Sequence, residues 1–126
     1  MDEQEEALFL LTHEEHKEWW DNGQLKIHCW LKDGKRDSRC EKWYSNGQLE
    51  QDSWFEDGML NGECKRWYEN GQPEIHCFYE YDNKYNECRF WDDDGQLLIH
   101  NWYKDNEIVV DFIQHPELKK QYGIEE

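Results

Sequence analysis

The chain has 126 residues, of which 30 are acidic and 14 are basic, and its formal net charge is -16 at pH 7. This charge repels nucleic-acid phosphates and anionic lipid surfaces, so we predict a basic protein partner and neither a nucleic-acid nor a membrane partner. Aromatic residues make up 16% of the chain. Because each large ring buries about 150–250 Å², they can replace an aliphatic core in a single domain spanning residues 1–126.

Residues 1–17 precede the repetitive part of the chain, and we predict that they cap one end of the fold. Their apolar run, residues 7–11, follows acidic residues, so it lacks the positive start of a secretory signal and is too short to span a bilayer. The chain has five cysteines. An odd count without a signal predicts free thiols in a reducing compartment, and hence a cytoplasmic protein.

Four units of 24 residues follow, over residues 18–41, 42–65, 66–89 and 90–113. The tetrapeptide at 22–25, Asn-Gly-Gln-Leu, recurs at 46–49, then at 70–73 with Pro73 as its last residue, and at 94–97 with Asp94 as its first. A fixed period of this length indicates one supersecondary unit stacked on copies of itself.

Aligning the units shows which positions the fold uses. Two columns are tryptophan-rich, and their members are Trp19, Trp43, Trp67 and Trp91 in the first and Trp30, Trp54, Phe78 and Trp102 in the second. A second turn signal, Asp-Gly at 33–34 and 57–58, changes to Asp-Asn at 82–83 and 105–106. Each unit therefore holds two short runs between two turns.

Asn-Gly between aromatic and aliphatic residues is a strong signal for a type I′ hairpin turn, which needs positive φ at both central residues. The predicted fold is therefore all-β: an elongated, twisted antiparallel meander of stacked β-hairpins. Residues 108–113 are a plausible last strand, and residues 114–126 form a C-terminal cap. Within that cap, residues 116–122 are predicted to be a short helix, with Pro116 in its first turn and Gly123 at its end.

A two-residue Asn-Gly turn sets the register of each hairpin. It places Cys40 opposite Ser53 and Trp43 opposite Glu50, so that Trp43 and Leu49 point to opposite faces. The packing face then carries Leu25, Ile27, Cys29, Leu31, Leu49, Phe55, Ile75, Cys77, Tyr79, Leu97, Ile99 and Tyr103. The other face is wetter and carries both tryptophan columns with His28, Asp52, His76 and His100.

The same register aligns a row of small side chains across the sheet: His16, Cys29, Cys40, Ser53, Cys64, Cys77, Cys88 and Asn101. Cys64 faces Cys77 directly, so a disulfide or a shared soft metal is conceivable, but we favour buried free thiols. The histidine column is no shared metal site, because equivalent residues two strands apart are separated by about 9.6 Å. No metal and no cofactor are predicted.

Catalytic constellations are missing from the sequence. It has no Gly-x-Ser-x-Gly and no glycine-rich phosphate loop, and the acidic run at residues 92–94 is expected from solvation in so acidic a chain. We therefore predict that the chain is not an enzyme, with no catalytic residues. Large rings beside carboxylates favour protein contacts instead, and the predicted partner-binding residues are Trp43, Trp54, Trp67, Trp91, Trp102, Glu50 and Glu74. The alternative, which does not exclude the first, is that the rings stack from unit to unit and brace the sheet.

The pattern in residues 62–71, Gly-Glu-Cys-Lys-Arg-Trp-Tyr-Glu-Asn-Gly, followed by a looser Asp-Gly turn, resembles the MORN repeat in its YwqK-type variant. The resemblance covers about residues 18–113 and implies an elongated, curved antiparallel sheet. It also implies protein-binding or scaffolding roles: some bacterial members are described as antitoxins, and such arrays are common in large DNA viruses. The link of this class to lipids transfers poorly to so acidic a chain.

Three functional hypotheses result. The first is a non-enzymatic protein-binding module, antitoxin-like or immunity-like in its sharpest form. The second is a structural or assembly component, for example of a large DNA virus, which would place the chain in the host cytoplasm or the virion. The third is a thiol or metal sensor that uses Cys64 and Cys77.

Overall fold

A computed structural model describes residues 1–124, in which eleven antiparallel strands form one sheet. The predicted hairpin meander is confirmed, because the nine longer strands follow one another across the sheet in chain order, and two short strands each pair with the strand before them. The strands are β1 (Glu14–Trp19), β2 (Leu25–Lys32), β3 (Lys35–Arg36), β4 (Ser38–Trp43), β5 (Leu49–Glu56), β6 (Met59–Trp67), β7 (Pro73–Glu80), β8 (Asn83–Lys84), β9 (Asn86–Trp91), β10 (Leu97–Lys104) and β11 (Glu107–Asp111).

The Asn-Gly turns differ from the predicted type I′ geometry. In the second unit the Gly47 amide donates to the Tyr44 carbonyl at 3.0 Å, and the Tyr44 amide donates to the Gln48 carbonyl at 2.9 Å. The loop therefore has three residues, 45–47, and of these three Gly47 alone has positive φ. Asn46 instead uses its side-chain oxygen to accept the Gln48 amide at 2.9 Å.

This longer loop changes which residues share a face near the turn. Trp43 pairs with Leu49, not with Glu50, and the next pair is Lys42 with Gln51, so Glu50 is the extra residue of a β-bulge. Because directly paired residues project to the same side, the prediction that Trp43 and Leu49 point to opposite faces is wrong. The same pairing recurs at Trp19 with Leu25, Trp67 with Pro73 and Trp91 with Leu97.

Beyond the bulge the predicted register is confirmed. Cys40 pairs with Ser53, Ser53 with Cys64, and Cys64 with Cys77. The bulge restores the register that the three-residue loop would otherwise shift by one. We call the side that carries this row the cysteine face and the opposite side the tryptophan face.

The second turn of each unit is the type I′ turn. Positive φ occurs at both central residues in all four units, at 33–34, 57–58, 81–82 and 105–106. In the third unit the central pair is Tyr81 and Asp82, not the predicted Asp82 and Asn83. Asp82, Asp105 and Asn106 are of the types that tolerate the left-handed region, and the last two units keep positive φ at both positions without glycine.

The cysteine row lies in the core. All five cysteines are buried, and Cys77 and Cys88 pack with Ile75, Tyr79, Phe90 and Tyr103. The prediction of free thiols is wrong for four of them, because disulfides join Cys29 to Cys40 and Cys77 to Cys88, which leaves Cys64 free. Each bridge spans neighbouring strands at a directly opposed position, where cysteine side chains are closest.

Both ends of the chain pack on the tryptophan face. Helix α1 (Glu3–Thr12) begins at Asp2, whose carboxylate accepts the Glu5 amide, and its Phe9 ring meets Trp30 at 5.0 Å. His13 bonds Asp37 at 2.9 Å. Residues 14–17 belong to β1 and do not cap the sheet, because β1 is an edge strand with all six residues exposed.

At the other end, the predicted short helix is confirmed as a 3-10 helix over Pro116–Tyr122, with Gly123 in the left-handed region. Its Tyr122 ring contacts Trp102 and Phe112 in a small core with Val110 and Ile124. No helix within residues 1–124 has the length and apolar character needed to cross a bilayer.

Candidate partner-binding surface

Two rows of charged residues cross the tryptophan face and bond to each other diagonally. Glu15 bonds His28 at 2.9 Å, Glu63 bonds His76 at 2.8 Å, and Glu87 bonds His100 in the fourth unit. In the second unit the charges are exchanged, because the Arg39 guanidinium donates two hydrogen bonds to the Asp52 carboxylate. The histidine column thus completes acid–base pairs, which explains why aspartate replaces histidine at position 52.

These pairs neutralise much of the charge on the strands of the tryptophan face. Lys17, Lys65 and Arg89 also lie within ion-pair distance of Glu15, Glu63 and Glu87 in turn. Acidic and basic side chains therefore largely balance each other where the strands run across the middle of the sheet. The excess of acid lies elsewhere.

A strongly acidic border follows the Asn-Gly turns at the side of the sheet. We call it the turn edge, and its carboxylates are Glu50, Glu69, Glu74, Asp92, Asp93 and Asp94. None of the ion pairs found within residues 1–124 involves any of them. Their uncompensated charge is available to a basic partner.

The carboxylates of the turn edge contribute to a raised pKa at two tyrosine hydroxyls. The pKa of Tyr44 is raised by burial and then by Glu50, Glu74 and Glu69. The pKa of Tyr68 is raised by burial and then by Glu74, Asp93 and Asp92. Of the predicted site residues, Glu50 therefore acts on the tyrosine of its own unit, whereas Glu74 acts on the tyrosines of two adjacent units.

The first tryptophan column is fixed by hydrogen bonds between units. The Tyr44 hydroxyl donates to the Trp67 carbonyl and the Tyr68 hydroxyl donates to the Trp91 carbonyl, both at 2.7 Å. Trp20 occupies the equivalent position in the first unit, and its indole N–H donates to the Trp43 carbonyl at 3.0 Å. These bonds hold the backbone beside each tryptophan, so Trp43, Trp67 and Trp91 occupy equivalent places.

Trp54 and Trp102 differ in how available they are. Trp54 is 43% exposed and lies in the open centre of the tryptophan face. Trp102 packs against Tyr122 at 4.9 Å beneath the C-terminal cap. Trp102 is therefore structural, and the structure does not bring it together with the other predicted partner-binding residues.

Trp67 and Trp91 lie on one cavity of about 220 Å³ near the turn edge. Its lining residues are Lys65, Arg66, Trp67, Pro73, Ile75, His76 and Trp91. Sequence reasoning missed the cavity, although one signal was visible: Pro73 occupies the position that is leucine in the other three units. Pro73 is one of the residues that line the cavity.

Metal and thiol chemistry gain little support from the geometry. Oxygens of Asp92, Asp93 and Asp94 lie within 4.8 Å of one another, but an exposed acidic run is normally solvated and is not by itself a metal site. Burial raises the pKa of Cys64 to about 11, so this side chain remains a neutral thiol near pH 7.

Comparison with known proteins supports the resemblance seen in the sequence. A family model described as MORN repeat variant matches residues 60–81, which run from β6 through the Asn70-Gly71 turn to the end of β7. No curated protein sequence matches the chain. The match falls on one strand–turn–strand segment whose turn motif recurs in all four units. Residues 60–81 are therefore identified as a MORN repeat variant.

Proposed function

We propose that the chain is a non-enzymatic protein-binding module that holds a basic protein partner against the turn edge and the open centre of the tryptophan face. The observation that carries the proposal is the uncompensated acid of the turn edge beside large aromatic side chains. Aromatic anchors supply contact area, while complementary charge guides association and selects the partner. MORN repeats are repeat modules, often with protein-binding or membrane-binding roles, and a net charge of -16 favours the protein-binding role.

An antitoxin or immunity role is the sharpest form of this proposal. There the module would cover the working surface of a basic toxin and so neutralise it. Such a role needs only a large complementary surface and no catalytic group of its own, which fits a sheet presenting aromatic rings and carboxylates. Co-expression with a captured basic partner tests it directly: growth should be restored by the intact module.

A capture experiment with a charge-matched control tests the general proposal. Immobilised protein should retain a partner from its source cells at low salt, and retention should fall as salt rises. The variant Glu69→Gln/Glu74→Gln/Asp93→Asn should lose the partner, whereas Glu3→Gln/Glu5→Gln/Glu6→Gln, which removes three charges from α1, should keep it. Equal loss in both variants, or no retained protein, contradicts the proposal.

A second candidate function, assembly into a larger structure such as a viral particle, is favoured by the two sheet edges. All six residues of β1 are exposed, and Ile108 and Val109 of β11 are exposed as well. Unpaired edges are templates for pairing with further strands. Light scattering over a concentration series tests this function: growth of the particle that Ile108→Lys abolishes supports it, and a monomer throughout contradicts it.

The proposed cytoplasmic location and the sensor role both depend on the cysteines. Two disulfides remove the free-thiol argument for a reducing compartment, so the location needs its own measurement, by trapping the thiols in intact source cells. A thiol or metal sensor is less well supported, because the one free thiol is buried and its pKa is raised. Elemental analysis that finds a bound metal would revive it.

A further inference from the structure

We propose that the cavity between Trp67 and Trp91 is an anchor pocket for one aromatic side chain of an extended basic segment, whose flanking lysines or arginines are held by the turn edge. The inference rests on the proposed protein-binding function and specifies its site and the chemistry of its ligand. The main observation behind it is Pro73, which stands where the other three units have leucine.

The departure is at Pro73. Leu25, Leu49 and Leu97 fill the equivalent position in the other units, where each pairs with a tryptophan of the first column. Pro73 pairs with Trp67 in the same way, but its ring is tied back to its own nitrogen and projects less far. Pro73 lines the cavity of about 220 Å³, a volume suited to a single side chain rather than to a whole small-molecule ligand.

The composition of the walls selects the kind of side chain. Trp67, Trp91 and Pro73, which share the tryptophan face, favour an aromatic ring, because such a ring gains from edge or offset contacts with other rings. Lys65 also lines the cavity, and its positive charge repels a cationic side chain inside it. A lysine or arginine of the ligand therefore belongs outside the cavity.

Carboxylates next to the cavity provide that outer site. Glu74 follows Pro73 in the chain and Asp92 follows Trp91, so each wall of the pocket continues into the turn edge. Glu74, Asp92 and Asp93 all raise the pKa of Tyr68, whose hydroxyl is bonded to the Trp91 carbonyl. Carboxylates therefore follow two of the lining residues directly in the chain, and they match a ligand with basic residues on both sides of its aromatic anchor.

The test uses three synthetic peptides and the full-length protein labelled with nitrogen-15. The peptides are Lys-Lys-Phe-Lys-Lys, Lys-Lys-Ala-Lys-Lys and Glu-Glu-Phe-Glu-Glu, each blocked at both ends. Titration is followed through the indole N–H signals of the eight tryptophans, assigned with single Trp→Phe variants. We expect the first peptide to shift the Trp67 and Trp91 signals and to bind at least fivefold more tightly than the other two.

Pro73→Leu is the matched variant, because leucine at this position is native in the other three units. It should weaken the binding of the phenylalanine peptide at least fivefold. The Trp30 and Trp102 signals should stay unchanged, and this would show that the fold is intact. Glu74→Gln/Asp93→Asn should weaken the binding of both lysine-containing peptides by the same factor. Equal binding of the phenylalanine and alanine peptides, unaltered binding by Pro73→Leu, shifts confined to other tryptophans, or no binding overturns the pocket.

Different experimental results would contradict the pocket and the general protein-binding function. If a captured protein partner binds Pro73→Leu as tightly as the native chain, the pocket is wrong while protein binding stands. If the phenylalanine peptide binds as expected but no protein is captured, the pocket stands and the proposed function is wrong.

Discussion

Ser53 lies directly opposite Cys64, at the place in the core row where the flanking pairs are cysteine joined to cysteine. Successive hairpins thus present the pairs Cys29–Cys40, Ser53–Cys64 and Cys77–Cys88. The free thiol of Cys64 is one half of a bridge whose other half is serine.

Ser53→Cys should therefore form a third disulfide, with Cys64. Ser53 and Cys64 are both buried, and their opposed position is the one that the two existing bridges occupy. Closing a loop of this length stabilises a protein by about 2–3 kcal/mol in the chain-entropy model. Thiol titration in denaturant and intact mass should show that the single free thiol has disappeared. A Ser53→Cys variant that keeps free thiols or exchanges its pairings would contradict the expected pairing, and Cys64→Ser serves as the two-bridge control.

Gly62→Ala should destabilise the protein more than alanine at a turn glycine does. Gly62 has φ of 127°, and a Cβ there would lie 3.1 Å from the Trp54 Cβ, whereas a Cβ on Gly23, with φ of 87°, meets no atom within 4 Å. Backbone strain alone costs about 1–2 kcal/mol, and the contact with Trp54 adds to it. Urea unfolding of both variants measures the difference, and equal losses would show that Trp54 moves aside freely.

Tyr44→Phe and Tyr68→Phe should each lower the free energy of unfolding by about 1 kcal/mol, the net contribution of one hydrogen bond. Each hydroxyl donates to a tryptophan carbonyl of the next unit at 2.7 Å. Tyr81→Phe is the control, because its hydroxyl meets only the exposed Glu56 carboxylate, at 3.3 Å. If all three variants lose the same stability, the bonds between units have no special role.

Helix α1 should detach from the sheet in acid. Burial raises the pKa of Asp37, but hydrogen bonds from His13 and the Asp57 amide outweigh burial and leave this pKa below its ordinary value. Because the folded-state pKa is the lower one, the stabilisation is complete above the ordinary aspartate value of about 3.9. It is lost as the pH falls through the lowered value.

Amide hydrogen exchange between pH 5 and pH 2 measures this transition, as the loss of protection of the α1 amides against exchange. The Asp2 carboxylate caps the same helix and its pKa is lowered too, so the experiment belongs in an Asp2→Ser background, which keeps a non-titrating cap. Asp37→Asn should remove the acid dependence of that background. Identical acid profiles with and without Asp37→Asn would show that another group controls the helix.

Reversing one charge on the tryptophan face should destabilise the protein, and reversing its partner should restore stability. Arg39→Glu opposes two carboxylates at the Asp52 pair and should cost about 0.5–1 kcal/mol. Arg39→Glu/Asp52→His recreates the glutamate–histidine pair found in the other three units and should recover most of the loss. A double variant as unstable as the single one would show that the pair is incidental.

The repeat and the core row were predictable from the sequence because both depend on local period. Cys40 opposite Ser53 follows from counting residues around a turn, and the position of Pro116 and Gly123 marks the C-terminal helix. The face of Leu49 was not predictable in this way. Asn-Gly suits both a two-residue and a three-residue turn, and the bulge at Glu50 corrects the register only after Leu49 has changed sides.

Contacts between units account for the rest of what the sequence left open. The Asn46 amide donates to the Glu69 carbonyl of the following turn at 3.2 Å, and a Cβ on Gly71 would meet the Gln48 side-chain oxygen at 3.5 Å. Neither contact is visible within one unit. The cavity likewise needs the tryptophans of two units, so only the exchange of leucine for Pro73 pointed to it.

Helix α1 had a local signal that the prediction did not use. Asp2 followed by Glu3, Glu5 and Glu6 is typical of a helix start, and an apolar run follows it. Its apolar residues do not form a regular stripe, since Leu8, Leu10 and Leu11 are exposed and Phe9 contacts Trp30. The weak periodicity concealed a helix that one aromatic contact and the His13–Asp37 bond attach to the sheet.

The asparagine and tyrosine bonds between units join each hairpin only to its immediate neighbour, 23 residues along the chain. The length of the array is therefore free to vary, because a duplicated block equivalent to residues 42–65 brings with it every donor and acceptor that its two new junctions require. A protein built in this way can gain or lose binding surface in whole hairpins, and the sheets on either side of the insertion keep their own register.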